Sequence, residues 1–197
     1  MSPSAPRVVG SPLNVVLPDR IARNVEDFRA VYGEHRLGGR IYFAHKANRS
    51  SALIRRLSAT EAGIDVASLA ELQHALGAGF DGDRIMATGP KSRDFLWLAA
   101  RVGAIVNADS VTELAELAAI VTAHDLPRVR VMARLSGFAP GGVNVLTRAS
   151  RFGIGAGDLG PLWDVLEKHR DELGLHGVAY HLDTVGLTEK AAALDGC

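Results

Sequence analysis

The sequence predicts an α/β fold: a TIM-type (β/α)8 barrel, incomplete, with about six of its eight βα units present and all strands parallel. Three observations carry this expectation. Short, β-branched apolar runs alternate with longer runs of helical period, the pattern of repeated βα units. The first four apolar runs recur about every 20 residues, a regularity that suits a barrel better than an irregular open sheet. The 197 residues fall short of the roughly 250 that eight units need, and "KAAALDGC" stops inside a helical pattern, which points to a truncated barrel.

Six strands are expected: "IYFAH" (41–45), "GIDVAS" (63–68), "RIMAT" (84–88), "GAIVNAD" (103–109), "VRVMARL" (129–135) and "HGVAYHL" (176–182). A helix from Asp19 to His35 precedes the first, with Pro18 near its start and Gly38 and Gly39 beyond its end. Helices over "SALIRRLSAT", "LAELQHALGAG", "RDFLWLAAR", "SVTELAELAAIVTAH" and "DLGPLWDVLEKHRDEL" fill the intervals, and Ser110 with Glu113 forms a capping-box signature. Residues 136–157 form a long glycine-containing loop after the fifth strand. Residues 1–12, rich in Ser and Pro, read as a loose arm, and 13–197 as one partial barrel domain.

Composition narrows the function classes. Lys+Arg 22 balance Asp+Glu 22, so no global field draws the chain to nucleic acid or to an anionic membrane. No segment approaches the length of apolar chain that spans a bilayer, and the N-terminus lacks the basic and apolar regions of a secretory leader; a cytoplasmic protein is expected. Cys197 is the single cysteine, which excludes an intrachain disulfide and a multi-thiolate zinc site. The seven histidines share no metal-ligand spacing, so no metal is assigned.

Barrel active sites gather where strands end. Read in order, the strand ends supply Lys46, then Asp65 and Ser68, Thr88 with Gly89, Asp109, Arg134, and finally His181 with Asp183 and Thr184. Any parallel strand leaves the core through polar residues, which is the plain alternative for Ser68, Thr88 and Asp109. Lys46 stands apart. A lysine at a barrel rim can be desolvated enough to favour its neutral, nucleophilic amine, the form that condenses with a carbonyl; otherwise it reaches solvent or pairs with Asp65. His45 should face the helices if the strand stays regular, which makes it structural.

These motifs carry a resemblance. "YFAHKAN" is similar to the lysine motif of the fold-type III pyridoxal-phosphate enzymes, and "GIDVASLAELQHALGAGF" resembles their second strand and helix. "NADSVTEL", "SRFGI" and "GLHGVAYHLDT" resemble, in the same order, further motifs of the ornithine and diaminopimelate decarboxylase group, over about residues 12–184. The resemblance implies pyridoxal 5'-phosphate held as a Schiff base on Lys46, an amino acid as substrate, and a homodimer in the full-length parent. It implies Asp65 close to that lysine, Glu71 supporting from the following helix, Arg134 near the cofactor's phenolic oxygen, His181 stacked on the pyridine ring, and Thr184 where a phosphate-binding serine is common. The reaction implied is amino-acid decarboxylation; an alanine-racemase-like activity and a non-catalytic pyridoxal-phosphate-binding barrel are the alternatives.

Two departures from the family pattern stand out. "HLDT" has Asp183 where the motif usually has glycine, and a carboxylate beside a bound phosphate repels it unless turned away or paired. The glycine-rich phosphate loop, the carboxylate facing the pyridine nitrogen and the β domain have no counterpart before residue 197, so the isolated chain is expected to be an inactive fragment.

Overall fold

The computed structural model describes residues 15–136, 152–181 and 188. Helix α1 (Asp19–Glu34) leads into four βα repeats: β1 (Tyr42–Ala44), α2 (Ser51–Ser58), β2 (Gly63–Val66), α3 (Leu69–Gly77), β3 (Ile85–Ala87), α4 (Arg93–Arg101), β4 (Ile105–Ala108) and α5 (Val111–Ala123). β5 (Val129–Arg134), α6 (Leu159–Lys168) and β6 (Leu173–Ala179) complete the described elements. The six strands form one parallel sheet in the order β1-β2-β3-β4-β5-β6, the arrangement of a partial barrel. The expected residues 1–12 arm and most of the loop after β5 lie outside the described residues.

Strand parity decides what each face does. In β5 the side chains alternate buried and half-buried along VRVMAR, with Val129, Val131 and Ala133 in the core. Ile64, Val66, Ile85, Ala87, Val106 and Ala108 join them against the helices, where Leu57, Leu72, Phe95, Leu96, Leu114 and Leu117 complete a single apolar core. The other parity forms the inner face. Ala44 stands opposite Asp65, Asp65 opposite Met86, and Asn107 opposite Met132, so these residues share that face. Glycine is required where the backbone closes in: a methyl group at Gly63 would lie 2.5 Å from the Tyr42 ring and 2.8 Å from the Arg84 carbonyl.

Two boundaries correct the sequence expectation. The last helix ends at Lys168 and β6 begins at Leu173, whereas the helical pattern runs on through "HRDEL" and the strand was expected at 176–182. Leu173 is the reason. Its side chain is buried in the core and it pairs with Val129, whose amide donates to the Glu172 carbonyl at 2.8 Å. Those tertiary interactions outweigh local helical period. The register between β5 and β6 also slips: Val131 pairs with Leu175 and Met132 with Gly177, leaving His176 as a bulge. Beyond the bulge Gly177 and Ala179 take the inner parity of Met132 and Arg134, and His181 follows them.

Candidate active site

The C-terminal rim of this sheet is assembled from short, locally determined turns. After Ala44 the chain leaves β1 in one 3-10 turn, His45–Ala47, closed by the Asn48 amide donating to the His45 carbonyl at 3.2 Å. The Asn48 side chain then accepts from the Ser50 amide at 3.0 Å, which starts α2. This turn sends neighbouring residues in opposite directions: His45 is buried, and Lys46 is exposed at the rim. The expectation that His45 packs toward the helices agrees with its contact to His74 of α3.

Asp65 occupies the inner face of β2. Its Oδ1 accepts from Thr88 Oγ1 at 2.6 Å, so the ends of β2 and β3 are tied together. Burial pushes the Asp65 carboxyl above the usual carboxylate range, while the Thr88 hydrogen bond and the charge of Lys46 pull it back. Glu71 is the third residue of α3, capped by Ser68, whose Oγ accepts the Glu71 amide at 3.2 Å. Its carboxylate accepts from the Ala67 amide at 2.8 Å and from Arg49 at 3.2 Å, and lies 3.6 Å from His45 Nδ1. Glu71 therefore braces the turn that carries Lys46 against the start of α3.

Arg134 ends β5. Its Nη1 donates to Asp109 Oδ1 at 2.8 Å, with both side chains largely buried, and its guanidinium lies over the Phe152 ring at 5.2 Å. His181 follows β6 and is exposed. The structure thus brings Lys46, Asp65, Arg134 and His181 to one rim, with Glu71 behind the first two; Thr184 and Asp183 lie outside the described residues.

Sequence reasoning missed Lys91. This lysine has a wholly buried amine that donates to the Gly89 carbonyl at 2.6 Å, the Asn107 carbonyl at 2.7 Å and Glu113 Oε1 at 2.7 Å. Burial holds its amine below the usual lysine range, and Glu113 opposes that shift. A signal was present. Ser68 to Glu71 and Ser110 to Glu113 are the same Ser-x-x-Glu turn, and in each the glutamate takes up a cation from the preceding βα turn, Arg49 or Lys91. Among the described residues no group of three or more His, Cys, Asp or Glu is arranged to hold a metal ion, and no described helix is long and apolar enough to cross a membrane.

Residues 18–194 match the family described as pyridoxal-dependent decarboxylase, pyridoxal binding domain. The chain belongs to this family. The decarboxylase-family chain is 40% identical over 113 residues to a diaminopimelate decarboxylase of Methanothermobacter thermautotrophicus, covering 56% of this chain and 26% of that protein. It is 40% identical over 119 residues to an uncharacterized protein, y4yA, of Sinorhizobium fredii, covering 60% and 25%. The crystal structure of a diaminopimelate decarboxylase from M. jannaschi shares the fold at a TM-score of 0.70 and 21% identity, over 83% of this chain and 39% of that one. The chain therefore spans between about a quarter and a third of the length of the curated relatives it matches.

Proposed function

We propose that this chain forms most of the cofactor-binding barrel of a pyridoxal-phosphate-dependent amino-acid decarboxylase, with Lys46 as the cofactor-holding residue. The observation that carries the reading is the position of Lys46: an exposed lysine in the turn that directly follows β1, whose last residue, Ala44, pairs with Asp65 on the inner face, in a chain of this family. The residues fit such a cofactor. A rim amine can meet an aldehyde, and the inner positions of β6 before His181 carry only the small residues Gly174, Gly177 and Ala179.

Bound there, the cofactor supplies an electron sink for the pair left on the substrate's α-carbon when carbon dioxide departs. The chain's own residues do the rest. Lys46 Nζ must lose a proton before it attacks a carbonyl carbon, and Asp65, whose carboxyl burial holds above its usual range, would take that proton. When not holding the cofactor, the same amine would be the rim group that returns a proton to the substrate's α-carbon. Arg134, oriented by Asp109, would supply positive charge to the cofactor's phenolic oxygen, and His181 would stack against its ring. In this reading Thr184 would bind the phosphate, and the full-length parent would be a homodimer.

Reductive trapping tests this directly. The chain is incubated with pyridoxal phosphate, treated with borohydride, digested and mapped by mass spectrometry. A pyridoxyl group on Lys46, lost in Lys46→Ala, is expected. An adduct on another lysine, or none, overturns the assignment.

A further inference from the structure

Lys46 sits in a turn whose first residue is a buried histidine, and that histidine is hydrogen-bonded to a second one. His45 Nε2 lies 2.8 Å from His74 Nδ1, with the rings edge-on at 83° and centroids 5.0 Å apart. On its far side His74 Nε2 lies 3.0 Å from Ser51 Oγ, at the exposed start of α2. His45 Nδ1 has no hydrogen-bond partner among the described residues and faces Glu71 Oε1 at 3.6 Å. The line His45, His74, Ser51 therefore runs from the buried side of the Lys46 turn to solvent, crossing from β1 to α3 to α2.

We propose that His45 and His74 are positioning residues that share a proton and so clamp the turn presenting Lys46. A contact of 2.8 Å between two imidazole nitrogens needs one to donate and the other to accept. The pair can make it with no extra proton or with one. With two extra protons both facing nitrogens carry hydrogen, the bond becomes a repulsion between cations, and His45 loses its hold on α3. Lys46, its sequence neighbour, moves with it. The charged and titratable groups seen against the pair are Glu71 on α3 and Arg49 after β1, with the Ser51 hydroxyl on α2. Burial, His74 and Arg49 oppose protonation of His45, and Glu71 favours it. The clamp ties presentation of the Lys46 amine to pH, and its functional meaning rests on the reading of Lys46 given above.

The test follows amide hydrogen exchange of the 42–50 segment in the whole chain without cofactor, corrected for the chemical pH dependence of exchange. Between about pH 7.5 and 5.5, protection of this segment is expected to fall about tenfold as the pair takes up its second proton. In His74→Gln, which keeps a hydrogen-bonding side chain but cannot titrate, the fall should be less than about threefold, a quarter to a half of that effect. Equal falls in both proteins overturn the clamp, because a merely structural histidine would not change the pH profile. Should the variant not fold, nitrogen-15 spectra of the histidines in the unaltered chain decide: coupled titration in two separate steps, the second opening the pair, is expected, and two independent titrations near the ordinary histidine value overturn the proposal. Neither readout involves the cofactor, so failure to trap it on Lys46 would count against the proposed function alone.

Discussion

Lys91 Nζ and Glu113 Oε1 are 2.7 Å apart, and the same carboxylate oxygen accepts the Asp109 amide at 3.1 Å while Asp109 holds Arg134. Four charges, two of each sign, thus link the ends of β3, β4 and β5 beneath the rim. The arrangement satisfies the buried amine completely, with three acceptors for three donors. Its cost becomes visible only when one partner is removed. Lys91→Met should lower stability by about 3–5 kcal/mol, because Glu113 is left as a buried charge without its cation. Adding Glu113→Gln should restore at least half of that, since the amide oxygen can still accept from the Asp109 backbone. Urea unfolding of the three proteins checks this; a loss under about 1 kcal/mol for Lys91→Met would show that the pair is relaxed by solvent.

Asp65 gives a pH prediction of definite sign. Its folded-state pKa is raised, chiefly by burial, so the folded protein holds that proton more tightly than the unfolded chain does. Ionising it costs stability, and the cost grows as pH rises from the ordinary aspartate value through the raised one. Asp65→Asn keeps an oxygen to accept from Thr88 and removes the charge. The variant should unfold on the order of 2 °C above the wild type at neutral pH, a gain that shrinks below about pH 4. A variant less stable than wild type at neutral pH would mean that the nearby cation Lys46 outweighs burial.

How much of this could be read from the sequence depended on the range of the interactions that decide each feature. α4 spans the expected 93–101, because Ser92 caps it and the positive-φ Gly103 follows its end, both local signals. Asp65, Arg134 and His181 were read off the ends of the expected strands, also a local signal. The α6 boundary was not legible, since only the pairing of Leu173 with Val129, far away in the chain, ends the helical pattern. Lys91 was missed for the same reason: its partners Asn107 and Glu113 lie 16 and 22 residues on, and nothing adjacent to Lys91 announces its burial.

The repeated Ser-x-x-Glu turns predict equal capping effects at two rim positions. Ser68 Oγ accepts the Glu71 amide at 3.2 Å and Ser110 Oγ accepts the Glu113 amide at 3.1 Å, each at the third residue of its helix. Ser68→Ala and Ser110→Ala should each cost about 1 kcal/mol in chemical unfolding. Only the first should also loosen the Lys46 turn, because Glu71 reaches Arg49 and His45 whereas Glu113 reaches Lys91. Hydrogen exchange of segment 42–50 separates the two; an equal rise in both variants would mean that the Glu71 contacts do not hold the turn.

The bulge at His176 makes an unusual prediction about a deletion inside a strand. His176 has no partner on β5, since Val131 pairs with Leu175 and Met132 with Gly177. Removing it lets Gly177 follow Leu175 in regular register, with Ala179 still opposite Arg134 and His181 still on the inner parity. Deletion of His176 should therefore leave a cooperatively folded chain within about 1 kcal/mol of the original. Deletion of Met132 from β5 is the control. It turns Arg134 from Asp109 toward the apolar core, leaves one rim carboxylate unpaired and should abolish cooperative unfolding. If the two deletions were equally harmful, His176 would be a paired part of β6 and the parity that brings His181 to the rim would have another origin.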